Sequence, residues 1–412
     1  MINFDLTSDQ KSVEELVNYQ NILLQNIQKE WKRYLFEDLH TDERLLGIKG
    51  LRGVGKTTLL LQYLLKALEK GDKGLFVTAE HPYFYQHSFF DLASLWVSYG
   101  GNLLLIDEIH KYPNWSRELK LIYDGFPGLQ VIFTSSSALD LYQGEADLSR
   151  RLDVQVLHGL SFREYLSLNG FGHFEPVTLE TITLDSTQIS SEIINQLEQH
   201  ILPIFKSYLA SGYFPFSNEL KKDRIPQRLI QILNTVLESD LSMVEGYSAA
   251  NVTKIKNLLG VIAESVPFEP NISKLAEKMH LGRNTINIYL KNLEDAKILN
   301  LLFEKVKGIS QLQKPAKIYF ENSNFLFAFQ HSPSIGTIRE TFMLNQLRNS
   351  GQLVGSSKKG DFKVDESMII EVGGRNKDYS QIKEAENAFL AIDDLEIGFG
   401  NKIPLWLFGF LY

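Results

Sequence analysis

The stretch GLRGVGKTT, Gly50–Thr58, sets three glycines within six residues ahead of a lysine and two threonines. Gly50 to Thr57 fits the pattern G-x-x-x-x-G-K-[ST] without a gap. That glycine content weakens a helix or strand interior, but it suits a loop that turns its backbone N–H groups inward around a phosphate. Gly50, Gly53, Val54 and Gly55 would form such a loop. Lys56 would reach the β- and γ-phosphates of a nucleotide, and the Thr57 hydroxyl would ligate Mg²⁺, with Thr58 beside it. A second stretch, LLLIDE, ends in Asp107-Glu108 after four apolar residues. An acid at that place can hold the metal through water, and its neighbour Glu108 can polarise an attacking water. Thr134 and Ser135 close VIFTSSS, where a hydroxyl can contact the γ-phosphate or the water. In Ser149-Arg150-Arg151 an arginine, Arg151 by preference, can stabilise charge in phosphoryl transfer, in cis or from a neighbouring subunit. His110 follows Glu108 closely but has no visible ligand partner, and it reads as a partly buried helix residue.

These groups need a scaffold. LLGIKG (Leu45–Gly50), GLFVTA, NLLLIDE, LQVIFTSS and DVQVLHGL are short apolar runs separated by stretches long enough for helices. Fully apolar strands alternating with helices predict an α/β fold, a parallel sheet covered on both faces. Helical spacing also runs from Lys11 to about Glu30. After Leu160 the pattern is mostly helical to about Leu259, interrupted by GYFPF at Gly212–Phe216. Short strands return from Lys317, and the closing IPLWLFGFLY reads as a buried final strand.

Bulk properties narrow the class. A chain of 412 residues suggests two to four domains. Hydrophobic residues at 44% and charged residues at 22% are ordinary for a soluble globular protein, so no disordered or membrane class is called for. A net charge of -8 argues against strong nonspecific attraction to nucleic acid. The absence of cysteine excludes disulfides, thiolate metal sites and cysteine nucleophiles, and fits a reducing cytoplasm. The opening MINFDLTSDQ is too polar for a signal peptide, and no apolar run would span a bilayer.

One segment has the pattern of a helix-turn-helix: NISKLAEKMHLGRNTINIYLKNLEDAKILNLL. Leu275 and Met279 mark the apolar side of its first helix, and Leu281-Gly282 makes the turn. Ile286, Leu290 and Leu293 form the inward stripe of the second helix. Arg283, Asn287 and Lys291 are four apart and share the other face, where they suit phosphates and base edges of double-stranded DNA. Lys305, Lys307, Lys314 and Lys317 would form a basic wing.

The order strand–GLRGVGKTT–helix, extra strand, LLLIDE, VIFTSSS, SRR and HGLSFREYL resembles the AAA+ ATPases. More narrowly, RGVGKTTLLLQ, LLLIDEIHKYPNW, LSFREYL, LASGYFPF and KIYFENSNFLFAF resemble a family of prokaryotic AAA+ proteins. These join such a core to a region that resembles a winged helix and a restriction-endonuclease-like domain. The resemblance implies a five-stranded parallel core with the VIFTSSS strand between the other two motif strands. That arrangement sets Thr134 or Ser135 beside the γ-phosphate. Members often carry a glycine where this chain has Arg150. In the last domain Glu340, Asp361 and Glu371 resemble the metal-binding E…D…E-x-K pattern, with Gly373 at the lysine position and Arg375 or Lys377 nearby as substitutes. The expected organisation is residues 1–30 helical, 31–165 ATPase core, 166–310 helical and winged-helix, and 311–412 endonuclease-like. The expected activity is ATP hydrolysis with Mg²⁺, coupled to movement of the C-terminal region, with DNA, a protein or a second copy of the chain as partner. A nucleotide-gated switch without turnover and an ATP-gated nuclease are the alternatives. No N-K-x-D tetrad is present, which favours adenine over guanine.

Overall fold

The computed structural model describes residues 8–39, 43–135, 148, 150–241, 249–264, 267, 269–304, 314–330, 332–383 and 385–412. The chain divides into two compact units, Met1–His158 and Gly159–Tyr412.

In the first unit five strands form one parallel sheet: β1 (Leu45–Lys49), β2 (Gly74–Thr78), β3 (Leu103–Asp107), β4 (Gln130–Ser135) and β5 (Asp153–Val156). Their order is β2-β3-β4-β1-β5, with every neighbouring pair parallel. β4 therefore lies between β3 and β1, as the resemblance implies. The apolar runs become strands because both faces are covered: Leu104, Ile106, Val131 and Phe133 pack with Phe89, Leu92, Leu119 and Ile122 of the flanking helices. Burying each such side chain contributes about 1.5–3 kcal/mol. The helices are α1 (Ser8–Gln25), α2 (Lys56–Glu69), α3 (Phe89–Ser98) and α4 (Trp115–Gly125). α1 stops at Gln25, short of Glu30. α3 is closed by a capping box between Ser88 and Asp91. α2 has no side-chain cap, its N-cap being Gly55 in a left-handed conformation. The first N–H groups of α2 therefore point outward without intrahelical partners. Since the strands are parallel, the segments following β1, β3 and β4 meet at one edge of the sheet.

The second unit begins with helices α5 (Phe162–Leu168), α6 (Leu179–Gln196), α7 (Ile201–Ser211), α8 (Ile225–Thr235) and α9 (Ala249–Ala263). A two-helix turn follows, α10 (Ile272–Lys278) and α11 (Arg283–Asp295), leading into the antiparallel pair β6 (Leu299–Leu302) and β7 (Lys317–Phe320). Then come α12 (Ser323–Phe329), α13 (Ile335–Asn349) and a mixed sheet of β8 (Val354–Ser356), β9 (Phe362–Val364), β10 (Met368–Gly373), β11 (Ala388–Ile392) and β12 (Lys402–Pro404). The order is β12-β11-β10-β9-β8, and α13 packs on β8 and β10.

The closing segment corrects the sequence expectation. Only Lys402–Pro404 is strand, and Leu405–Phe410 is a 3-10 helix. All six of its residues are buried, so the run carries no alternation to separate strand from helix. Tertiary contacts hold it: Trp406 Nε1 donates to the Leu395 carbonyl at 3.2 Å, and Val177 N donates to the Phe410 carbonyl at 2.8 Å.

Candidate functional site

The glycine loop connects β1 to α2, and two separate physical demands select its glycines. Gly53 and Gly55 have φ of 87° and 99°, in the region that side chains avoid. Gly50 lies so close to the β5 end that a Cβ there would sit 2.3 Å from the Leu157 carbonyl oxygen. Lys56 is buried, and its Nζ donates to the carbonyls of Gly50 at 2.9 Å and Leu51 at 3.2 Å. The ammonium thus lies over the loop itself. Val54 is buried, whereas Thr57 and Thr58 are exposed at the start of α2.

Asp107 ends β3 beside this loop. Its Oδ2 accepts from Thr57 Oγ1 at 2.7 Å, and its Oδ1 accepts from Thr134 Oγ1 at 2.5 Å. Burial pushes the Asp107 carboxyl up, opposed by those two hydroxyls and by Lys56. Thr134 also accepts from the Glu108 backbone N–H at 3.0 Å. It therefore braces both acids from the neighbouring strand. Glu108 takes up a left-handed backbone, φ 54°, which bends the chain after the strand.

Two residues join the site that sequence reasoning did not place there. His110 is fully buried as a side chain. Its Nε2 lies 3.4 Å from Glu108 Oε2, and its Nδ1 lies 3.2 Å from Ser135 Oγ. It is a buried residue of the short 3-10 helix Ile109–Lys111, as expected, and this bridge to Ser135 of β4 adds to that reading. Arg33 is also buried. Its guanidinium donates to the Val54 carbonyl within the glycine loop and to the His158 carbonyl at 2.7 Å. A lone arginine upstream of β1 carries no sequence signal for that task. His110 had one, its place two residues after Glu108.

The structure does not bring Arg151 to the phosphate loop. Arg151 precedes β5, and the β1–β5 register pairs Leu46 with Asp153 and Lys49 with Val156. Arg151 therefore lies at the opposite end of the sheet from Lys56, which rules out the cis role. It makes a two-point ion pair with Asp124, at 2.9 and 3.1 Å. Arg150 is exposed, and Ser149 lies outside the described residues.

In the second unit α11 follows its expected faces. Ile286, Leu290 and Leu293 are buried, and Arg283, Asn287 and Lys291 are exposed. Lys291 is engaged, however, at 3.3 Å from Glu294 and 2.8 Å from Asp295. Lys305 and Lys307 lie outside the described residues, and Lys314 is exposed. Lys317 is not a wing cation. Its Nζ sits between Glu340 at 3.3 Å and Asp361 at 3.7 Å.

That contact joins two carboxylates of the second unit, Glu340 and Asp361. Glu340 also accepts from Tyr319 OH at 2.6 Å. Asp361 accepts from the Val372 N–H at 2.9 Å. Glu371 is buried and paired with Lys377. A Cβ on Gly373 would sit 2.6 Å from Lys377 Cβ, so the Lys377 side chain lies across Gly373. Arg375 is exposed. Two lysines thus pair with the three acids, and among the described residues no three His, Asp or Glu side chains are grouped to hold a metal ion.

Residues 42–166 match the family model for an AAA domain. Phosphate loop, acidic strand end and five-stranded parallel sheet give this part of the chain the P-loop NTPase fold. Residues 202–330 match a domain of unknown function, DUF8612. No curated protein matches the chain. Among solved structures, the Walker-type ATPase PABY2304 of Pyrococcus abyssi is similar at 12% identity and a TM-score of 0.40, covering 79% of this chain and 95% of its own. AMPPCP-bound DnaA from Aquifex aeolicus is similar at 14% identity and a TM-score of 0.26, over 72% and 90%. The S. cerevisiae Hsp104–ADP complex is similar at 13% identity and 0.32, over 67% and 41%.

Proposed function

We propose that this chain binds ATP with Mg²⁺ and hydrolyses it. The observation that carries the reading is the 2.7 Å contact of Thr57 with Asp107, beside the buried Lys56. A hydroxyl and a carboxylate in contact form a hard-oxygen pair of the kind that Mg²⁺ takes together with nucleotide phosphates. Thr57 and Asp107 would hold the ion, which supplies charge neutralisation between the phosphates. The Gly53, Val54, Gly55, Lys56, Thr57 and Thr58 backbone would bind the phosphate oxygens at the open end of α2. Lys56 would exchange its loop carbonyls for those oxygens. Glu108 would orient the attacking water and take its proton. Arg151 would serve only the nucleotide of a neighbouring copy, which makes its role conditional on oligomerisation.

The partner reading is DNA, supported by the exposed Arg283 and Asn287 on α11. Lys291 supports it less, since two acids already answer its charge. Lys317 and Lys377, holding the carboxylates of the last domain, argue against the nuclease alternative. The cysteine-free composition suits a cytoplasmic setting.

The test is steady-state ATP hydrolysis by the full chain, with and without double-stranded DNA, with Glu108→Gln as control. Turnover that vanishes in the variant supports the ATPase, and stimulation by DNA supports the partner. ATP binding without turnover in the wild type would favour the nucleotide-gated switch. Cleavage of plasmid DNA in Mg²⁺ or Mn²⁺ would revive the nuclease.

A further inference from the structure

We infer that His110 is a positioning residue for Glu108, fixing its carboxylate through a chain that runs from the end of β4: Ser135 Oγ, His110, Glu108. The inference rests on the ATPase reading above and deepens it. Three observations carry it. The imidazole has no exposed side-chain surface, yet both its nitrogens lie near polar atoms: Nδ1 is 3.2 Å from Ser135 Oγ and Nε2 is 3.4 Å from Glu108 Oε2. A buried imidazole needs such partners to offset its lost hydration. Ser135 ends β4 whereas Glu108 follows β3, so the ring ties the carboxylate to the neighbouring strand. Finally, Glu108 sits on a left-handed backbone at φ 54°, which costs energy in a non-glycine residue.

Both contacts are satisfied when the ring carries a proton on Nε2. Ser135 O–H donates to Nδ1, and Nε2–H donates to Glu108. In that arrangement the ring N–H holds one oxygen of the Glu108 side chain, Oε2. Without the ring, the same carboxylate has more rotamers to occupy, and the fraction aimed at the water falls. Binding of the nucleotide by Lys56, Thr57 and Asp107 does not involve this chain.

The variants follow from the geometry. His110→Phe keeps the aromatic volume and removes both nitrogens. His110→Gln sets its Nε2 where the imidazole Nε2 stands, so it restores the donor to Glu108. The experiment measures kcat, KM and Kd for ATP with Mg²⁺ in the full chain. Expected are a kcat about 10–100-fold lower in His110→Phe, a KM and Kd within about threefold of wild type, and a kcat recovered to within about fivefold in His110→Gln. A side-chain ¹⁵N spectrum adds a readout apart from turnover. The His110 ring, identified by its loss in His110→Gln, should show a proton on Nε2 and shift in Glu108→Gln.

Wild-type kcat in His110→Phe would overturn the proposal. So would equal losses in kcat and nucleotide affinity, which mark a structural role, or a His110→Gln variant no better than His110→Phe. These outcomes leave the ATPase reading standing. A wild-type protein that binds ATP and never turns it over would remove both.

Discussion

At the residue scale, binding and chemistry are assigned to different side chains, and this separation can be measured. Lys56 is a buried ammonium whose donors turn to the loop carbonyls. On the proposed reading its replacement would remove charge-assisted bonds to phosphate, worth about 1.5–3 kcal/mol. Lys56→Ala should therefore weaken ATP binding about 10–100-fold, read by fluorescent-nucleotide titration. On the same reading Glu108→Gln would remove a base but no phosphate contact. It should leave that titration within about threefold of wild type while turnover falls about 100–1000-fold. Loss of binding in Glu108→Gln would show that Glu108 supports the loop instead. The loop and the Asp107-Glu108 pair were legible because local pattern and strand context coincide in the sequence. Arg33 and His110 were not, because what defines them are partners distant in sequence: the Val54 and His158 carbonyls for the one, the Ser135 hydroxyl for the other. Thr134 was found at the right strand end, but its role as a brace of Asp107 depends on β4 lying next to β3.

At the element scale, the sheet was legible because continuous apolar runs of four to six residues admit few other structures between helices. The closing Leu405–Phe410 segment was not, since a wholly buried run has no period. The same scale explains Gly50. The backbone oxygen of Leu157 stands 2.3 Å from the place an alanine methyl carbon would take, and a backbone cannot swing aside like a side-chain tip. Gly50→Ala should cost about 1–3 kcal/mol of stability, seen as a lower unfolding midpoint, and should weaken ATP binding as the loop shifts. An unchanged midpoint would mean that β5 yields easily. In the second unit Lys317 joins β7 to Glu340 of α13 and to Asp361 ahead of β9. Lys317→Met leaves two partly buried carboxylates facing each other. We expect a stability loss of about 1–3 kcal/mol at pH 8 that shrinks at pH 5, where Glu340, already pushed up by burial and by Asp361, takes a proton. Equal losses at both pH values would assign the effect to lost packing of the lysine stem.

At the scale of the whole molecule, the second unit contains a titration that sets how its stability responds to pH. Glu321 is buried, and burial raises its carboxyl from the ordinary value of 4.5 to about 7, against the pull of Lys297 and Arg348. Its Oε2 has no hydrogen-bond partner among the described residues. A folded-state pKa above the unfolded one means that the native protein holds a proton the unfolded chain has released. The stability contributed by protonated Glu321 is therefore complete below about pH 4.5 and declines as the pH rises through 7. The shift corresponds to about 3 kcal/mol between those limits, an upper figure for a group with charged neighbours. Urea unfolding of the wild type should show a falling free energy from pH 5 to pH 8. Glu321→Gln keeps the shape and removes the titration, so its unfolding free energy should stay flatter over the same range and exceed that of the wild type at pH 8. If wild type and variant fall in parallel, the pH dependence belongs to other groups and Glu321 is ionised in the folded state. Such an ionised carboxylate would need its compensation from Lys297 and Arg348, and removing either cation should then destabilise the second unit more at pH 8 than at pH 5.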